Sequence, residues 1–139
     1  MPLIAMREES VSCLFGRDAT EVRRAREATR KALFDWGLSE HTELFELIVS
    51  EFVTNALRHG EGPIRVRISC SGSQLCIEVH DDGSGRPVRR PVTVRDESGH
   101  GLALIDGLLA EEGGQRTVLE DATGAGKTVC AALCLAGDG

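Results

Sequence analysis

A chain of 139 residues and 14.9 kDa has the length of one domain, and at that size roughly two-thirds of the extended surface can leave water, enough for a single core. Sixteen basic residues against twenty-two acidic ones leave a formal charge of -6, which repels a phosphate backbone and argues against a nucleic-acid partner. Residues 1–9 carry Arg7, Glu8 and Glu9 and no apolar run of signal-peptide or membrane-span length, so the expectation is a cytoplasmic protein with no membrane partner.

Residues 10–15 predict a first strand, ended by Gly16 and Arg17. Asp18 and Glu21 have the spacing of a capping box, and Val22, Ala25, Ala32, Leu33 and Trp36 then recur at helical spacing, predicting a helix over 19–36. Its charged residues, Arg30 among them, read as a solvated face. Ser39 is placed to cap a second helix, in which Leu44, Phe45, Ile48, Val49, Phe52 and Ala56 supply the apolar surface until Gly60.

Residues 64–70 alternate, with Ile64, Val66, Ile68 and Cys70 on one face; a two-residue Gly72-Ser73 loop leads into Leu75–Asp81, whose core face is Leu75, Ile77 and Val79. That register sets Cys70 opposite Leu75 and points the Asp81 carboxylate toward the core side, where a charge needs partners. Residues 82–100, rich in glycine, proline and charge, predict a loop, with a lid at 86–98. A short helix over about 101–110 closes on Gly113-Gly114, and strands follow at 115–120 and 127–135. The last strand is apolar in both parities, which predicts cover on both sides.

The five cysteines, Cys13, Cys70, Cys76, Cys130 and Cys134, are odd in number and sit among Val, Ile and Leu, so reduced, buried thiols are expected instead of a disulfide framework. No pair has the tight spacing of a zinc knuckle, which sets a zinc–thiolate site aside. The order of elements is not that of repeated β-α-β units. It predicts a single α/β domain over 1–139: a two-layer sandwich with a mixed, mainly antiparallel sheet covered by helices on one face.

Three features carry chemistry. Glu51 and Asn55, four apart on the second helix, project together, and Asn55 falls beside Leu44 and Ile48 instead of on the solvent face; a polar network with Arg58 is the structural alternative. Asp81-Asp82-Gly83-Ser84-Gly85 joins an inward carboxylate to two glycines that let backbone approach a planar ligand, although a simple turn has the same composition. Gly99-His100-Gly101-Leu102 runs into a helix whose free N–H groups can accept phosphate oxygens. Gly124-Ala125-Gly126-Lys127-Thr128 imitates the end of a P-loop, but Asp121 stands where that motif needs glycine and a strand follows.

Glu51-Phe-Val-Thr-Asn55-Ala-Leu-Arg58-His59-Gly60, Asp81-Asp-Gly83-Ser-Gly85, Gly99-His-Gly101-Leu102 and Gly126-Lys-Thr128 together resemble the nucleotide-binding boxes of the GHKL, or Bergerat-fold, ATPases, in particular the small serine-kinase anti-sigma factors. The resemblance runs from about residue 10 to 135. It implies ATP with adenine bonded by Asp81 and, through water, Thr128; Mg²⁺ held by Asn55; phosphates near Gly99 and Gly101; and Glu51 as general base. Arg58 and His59 lie where they could assist the phosphates, or merely complement the helix dipole; Arg89, Arg90 and Arg95 of the lid could also reach them. It implies a regulator that binds a sigma factor, phosphorylates a serine of an anti-sigma-factor antagonist, and forms a homodimer. A non-catalytic nucleotide-binding interaction protein is the rival reading. The ATPase part of a sensor histidine kinase is the third, disfavoured because no sensor segment or histidine-bearing dimerisation helices are seen.

Overall fold

The structure is a computed structural model that describes residues 8–83, 97–120 and 126–135, with the backbone alone for 97–100. Its elements in chain order are β1 (Glu8–Phe15), α1 (Glu21–Asp35), a 3-10 turn (Ser39–His41), α2 (Thr42–His59), β2 (Ile64–Ser71), β3 (Gln74–Asp81), α3 (Glu97–Glu111), β4 (Gln115–Glu120) and β5 (Lys127–Cys134).

The helices form where apolar side chains recur on one stripe. On α1 the stripe is Ala25, Thr29, Ala32 and Leu33; on α2 it is Phe45, Ile48, Val49, Phe52, Val53 and Ala56. Thr29 is polar in a dry place, and its hydroxyl is satisfied by donating to the Ala25 carbonyl at 2.8 Å. At the end of α1, Gly37 takes φ +73°, Leu38 N–H reaches back to the Leu33 carbonyl at 2.7 Å and Gly37 N–H to that of Phe34 at 3.1 Å, a glycine-closed helix terminus. Gly113 ends α3 in the same way.

Two local expectations change. Asp18 does act near the start of α1, but it accepts from Thr20 N–H and the Thr20 hydroxyl, without the reciprocal box. Ser39 opens the 3-10 turn, and α2 starts three residues later with no side-chain cap bond. The solvated face of α1 is as expected, and Arg30, while exposed, also forks onto Glu46 of α2 at 3.0 and 2.8 Å and holds that carboxyl below its ordinary range.

The five strands lie in the order β1-β2-β3-β5-β4, and all four pairings are antiparallel. β3 and β4 run in the same direction, as the α3 connection between them requires, but β5 inserts between the two. The expected mixed sheet therefore has no parallel neighbours among the described strands. Cys70 pairs with Leu75 across the Gly72-Ser73 turn, as the alternation requires.

Ile64, Val66, Ile68, Cys70, Leu75, Ile77, Val79, Ala131 and Leu133 are all at most 2% exposed, and they form the sheet side of the core beneath the helices. Each Ile, Val and Leu among them contributes about 1.5–3 kcal/mol by leaving water. The opposite face bears Arg65, Arg67, Cys76, Glu78, His80, Thr128 and Cys130, partly to fully exposed. β5 is thus buried through Ala131 and Leu133 and only half covered through Thr128, Cys130 and Ala132, so among the described residues the second face lacks the full cover read from its composition. Of the cysteines only Cys70 is buried; Cys13, Cys76 and Cys130 are half-buried and Cys134 is exposed, and none is in a disulfide.

Candidate nucleotide site

The site is built where the C-terminal half of α2 meets the end of β3 and the start of α3. Strand alternation carries Asp81 onto the core face behind Val79, and it is 2% exposed. Its carboxylate Oδ1 accepts from Gly83 N–H at 2.7 Å. A β-carbon at Gly60 would fall on the carboxyl group itself, and one at Gly83 would come within 2.7 Å of Oδ1. Two glycines, one ending α2 and one just past β3, therefore form the cradle that admits a buried carboxylate.

That cradle is pinned from two sides. Asp82 N–H donates to the Glu61 carbonyl at 2.9 Å, and Gly62 turns with φ +71°. Arg17, in the loop after β1, donates from Nη2 to the carbonyls of Ala56, Leu57 and Gly60 at 2.9, 2.8 and 3.0 Å, and from Nη1 to that of Gly62 at 3.0 Å. Leu57 is in the last turn, where a helix leaves carbonyls without intrahelical donors, while the Ala56 carbonyl also accepts from Gly60 N–H at 2.9 Å; the positive charge suits the negative end of the dipole. Arg17 is a positioning residue that nothing local in the sequence marks, because its partners lie about forty residues away.

About a turn and a half back from Gly60 along α2, Asn55 carries a side-chain oxygen that is buried and has no hydrogen-bond partner among the described residues. Leaving such a group unsatisfied costs about 1–3 kcal/mol. An amide oxygen held dry and free is the kind of ligand a hard divalent cation takes, so these residues fit Mg²⁺. The expected satisfied network of Glu51, Asn55 and Arg58 does not engage this oxygen.

Glu51 lies one turn further, partly buried, and burial pushes its carboxyl up while the charge of Arg58 opposes the shift. A β-carbon at Gly101 would fall on the Glu51 carboxylate. Gly101 is thus the point where α3 approaches α2 closely enough for that carboxylate to lie against it. Helix α3 begins at Glu97, four residues before the expected start, so Gly99 stands in its first turn and Gly101 just beyond. The first-turn N–H groups without intrahelical acceptors are those of residues 97–100. Leu102 packs against the core, a structural role.

Arg58 and His59 are exposed in the last turn of α2. Thr128 is separated from the rest. Asp81 pairs with Lys127 and His80 with Thr128, so Thr128 is on the open face, its hydroxyl 3.0 Å from His80 Nδ1. There it lines a groove with Ser12, Leu14, Arg65, Arg67 and Glu78. The expectation that Thr128 assists Asp81 is corrected by this register: Lys127 is the β5 residue on the Asp81 side. Gly126 belongs to the site as backbone, since a β-carbon there would approach the Asp81 carbonyl to 2.8 Å. Gly85, Arg89, Arg90, Arg95 and most of the expected lid at 86–98 lie outside the described residues.

A helical layer on one face of an antiparallel sheet, with a cradled carboxylate at a strand end and an unpartnered amide oxygen on the adjoining helix, defines the class. Residues 15–131 match the family model of the histidine kinase-like ATPase domain, and the chain belongs to that family, whose domains bind ATP. No curated protein matches the sequence. Among solved structures the fold is similar to that of the histidine kinase domain from the blue-light activated histidine kinase of Erythrobacter litoralis EL346, with a TM-score of 0.55 and 22% identity, over 84% of this chain and 60% of that one. The likeness is one of fold, and the chain spans less than two-thirds of that domain's length. No helix among the described residues is long and apolar enough to cross a membrane.

Proposed function

We propose that this chain binds ATP with its adenine against Asp81 and its phosphates toward Asn55 and the start of α3, and that it acts as a cytoplasmic anti-sigma regulator with protein-serine kinase activity. The observation that carries the nucleotide reading is Asp81 in its glycine cradle. A carboxylate fixed by Gly83 N–H accepts from the exocyclic amine of adenine, while the missing β-carbons at Gly60 and Gly83 make the space that this carboxylate occupies. From Asp81 beside Gly60 back to Glu51 the helix rises about 14 Å, so base and terminal phosphate are recognised at opposite ends of one stripe.

Asn55 would hold Mg²⁺, whose chemistry is to neutralise charge shared by phosphate oxygens. The chain's own contribution to transfer is positional. Glu51 would orient a serine hydroxyl and take its proton, a task that suits a carboxyl raised by burial. Free N–H groups at the start of α3 would receive phosphate oxygens. The serine would belong to an anti-sigma-factor antagonist, and a sigma factor and a second copy of the chain would be the other partners; these rest on the boxes quoted above and not on the geometry.

The test is calorimetric titration of Mg-ATP into wild type and Asp81→Asn. The amide replaces one acceptor by a donor, so affinity should fall sharply and selectivity for adenine over other bases should go with it. Equal affinities, with both proteins folded by circular dichroism, would remove Asp81 from the adenine site.

A further inference from the structure

The open face of the sheet holds a pair of thiols that the nucleotide site does not use. The β3–β5 register pairs Cys76 with Ala132 and Cys130 with Glu78, making the two cysteines diagonal neighbours on adjacent strands. Their sulfurs are 3.0 Å apart. Both side chains are half-buried, on the face that no helix covers among the described residues, and both are free thiols. Cys70, by contrast, is in the core, and Cys134 stands exposed near the end of β5.

We propose that Cys76 and Cys130 are a thiol–disulfide exchange site that closes reversibly into an intramolecular disulfide linking β3 to β5. The sulfurs must close from 3.0 Å to a bond of about 2.05 Å, a movement of side chains of roughly 1 Å. The two thiols differ in readiness. The hydrogen bond between them holds Cys130 below the ordinary thiol range and, with burial, pushes Cys76 above it, while Glu78 raises both and Arg67 lowers Cys76. Cys130 is therefore the attacking sulfur.

With a low-molecular-weight disulfide as oxidant, the Cys130 thiolate attacks one of its sulfurs, forming a mixed disulfide and expelling one small thiolate. Cys76 then loses its proton and attacks the Cys130 sulfur, expelling the second. The protein gives up two electrons and two protons, and the small disulfide is reduced to two thiols. The closed form encloses residues 76–130, a segment that includes α3. Transient disulfides of this kind are signals more often than scaffolds in reducing compartments.

The experiment equilibrates the intact, folded chain with glutathione at ratios from fully reduced to fully oxidised, traps free thiols with an alkylating agent and maps disulfides by peptide mass spectrometry. Expected is a two-thiol loss confined to Cys76 and Cys130, a joined peptide carrying both, and full recovery on adding dithiothreitol. Cys76→Ser and Cys130→Ser should each abolish the joined peptide, and the cysteine left behind should then stop at a mixed disulfide with glutathione for want of a second thiol. The wild-type map decides the matter even if a variant fails to fold. Glutathione appearing on exposed Cys134 at the most oxidising ratio while Cys76 and Cys130 stay reduced would overturn the proposal, as would a disulfide joining either of them to another cysteine.

Discussion

Gly60→Ala isolates the cradle of Asp81. Gly60 has φ -98° and ψ -172°, extended backbone that alanine adopts freely, so the substitution should by itself stabilise by about 0.4–1 kcal/mol through the unfolded state. Against that, the new β-carbon falls on the Asp81 carboxyl. The carboxylate cannot swing into water, because it is 2% exposed and is flanked on its other side by Gly83. Overpacking costs about 1–3 kcal/mol, and displacing a charged acceptor from the Gly83 N–H costs about 1.5–3 kcal/mol. The net expectation is a loss of about 2–5 kcal/mol, read from urea unfolding at neutral pH, together with loss of Mg-ATP binding. A double-mutant cycle makes the cause specific: in an Asp81→Ala background the same glycine change should cost almost nothing, giving a coupling of roughly 2 kcal/mol or more. A Gly60→Ala protein as stable as wild type, or an equal cost in both backgrounds, would refute the cradle.

Arg17→Ala should lower stability by about 1–2 kcal/mol and speed amide exchange in the last turn of α2, and Arg17→Lys should recover little of it because a single ammonium cannot fork across four carbonyls; unchanged exchange would separate Arg17 from the helix end. Asn55→Ala should leave the ligand-free protein no less stable, since an unsatisfied oxygen worth about 1–3 kcal/mol is removed, while ATP affinity falls more with Mg²⁺ than with a chelator; an equal fall in both would make Asn55 a structural residue. Glu51→Gln should slow phosphoryl transfer to the native antagonist by roughly 10²–10⁴-fold while ATP still binds, and transfer at the wild-type rate would free Glu51 from the role of base. The same variant carries a pH signature. Because burial raises the Glu51 carboxyl in the folded state, the folded chain holds that proton more tightly. Wild type should then lose stability relative to Glu51→Gln as pH rises from the unfolded value of about 4.3, and a difference flat from pH 4 to 7 without Mg²⁺ would show that Glu51 is not desolvated.

Much of this architecture was legible because hydrophobic period and turn chemistry agree along the chain. Ile64 to Cys70 and Leu75 to Val79 fixed each other's register through a two-residue turn, and the same alternation put Asp81 on the core side before any contact was seen. What could not be read depends on contacts distant in sequence. Glu97 to Gly101 has the composition of a loop, yet it is helical because Gly101 lets α3 settle against Glu51, and tertiary packing of this kind outweighs a glycine's poor helix propensity of about 1 kcal/mol. The contact of Cys76 with Cys130 needs the β3–β5 register, which no local pattern sets across 54 residues.

Thr128 is a different kind of miss, because the signal was present. Its parity with Cys130 and Cys134, and that of Asp81, are both visible in the sequence, but a motif's position does not say which side of the sheet a residue faces. Pairing β3 with β5 shows the two residues back to back, Thr128 hydrogen-bonded with His80 and Lys127 standing on the Asp81 side. The polar residues that did converge share a physical mark that a motif does not supply. Asp81 is buried in a gap left by two absent β-carbons, Asn55 keeps an unpartnered oxygen, and Glu51 is desolvated against a helix that only glycine lets near. Each arrangement opposes folding taken alone, and local choices that oppose stability at one place gather where a ligand is to complete them. Thr128, satisfied by His80 on a half-exposed face, bears no such cost, and that difference separates it from the site more firmly than its position in the sequence.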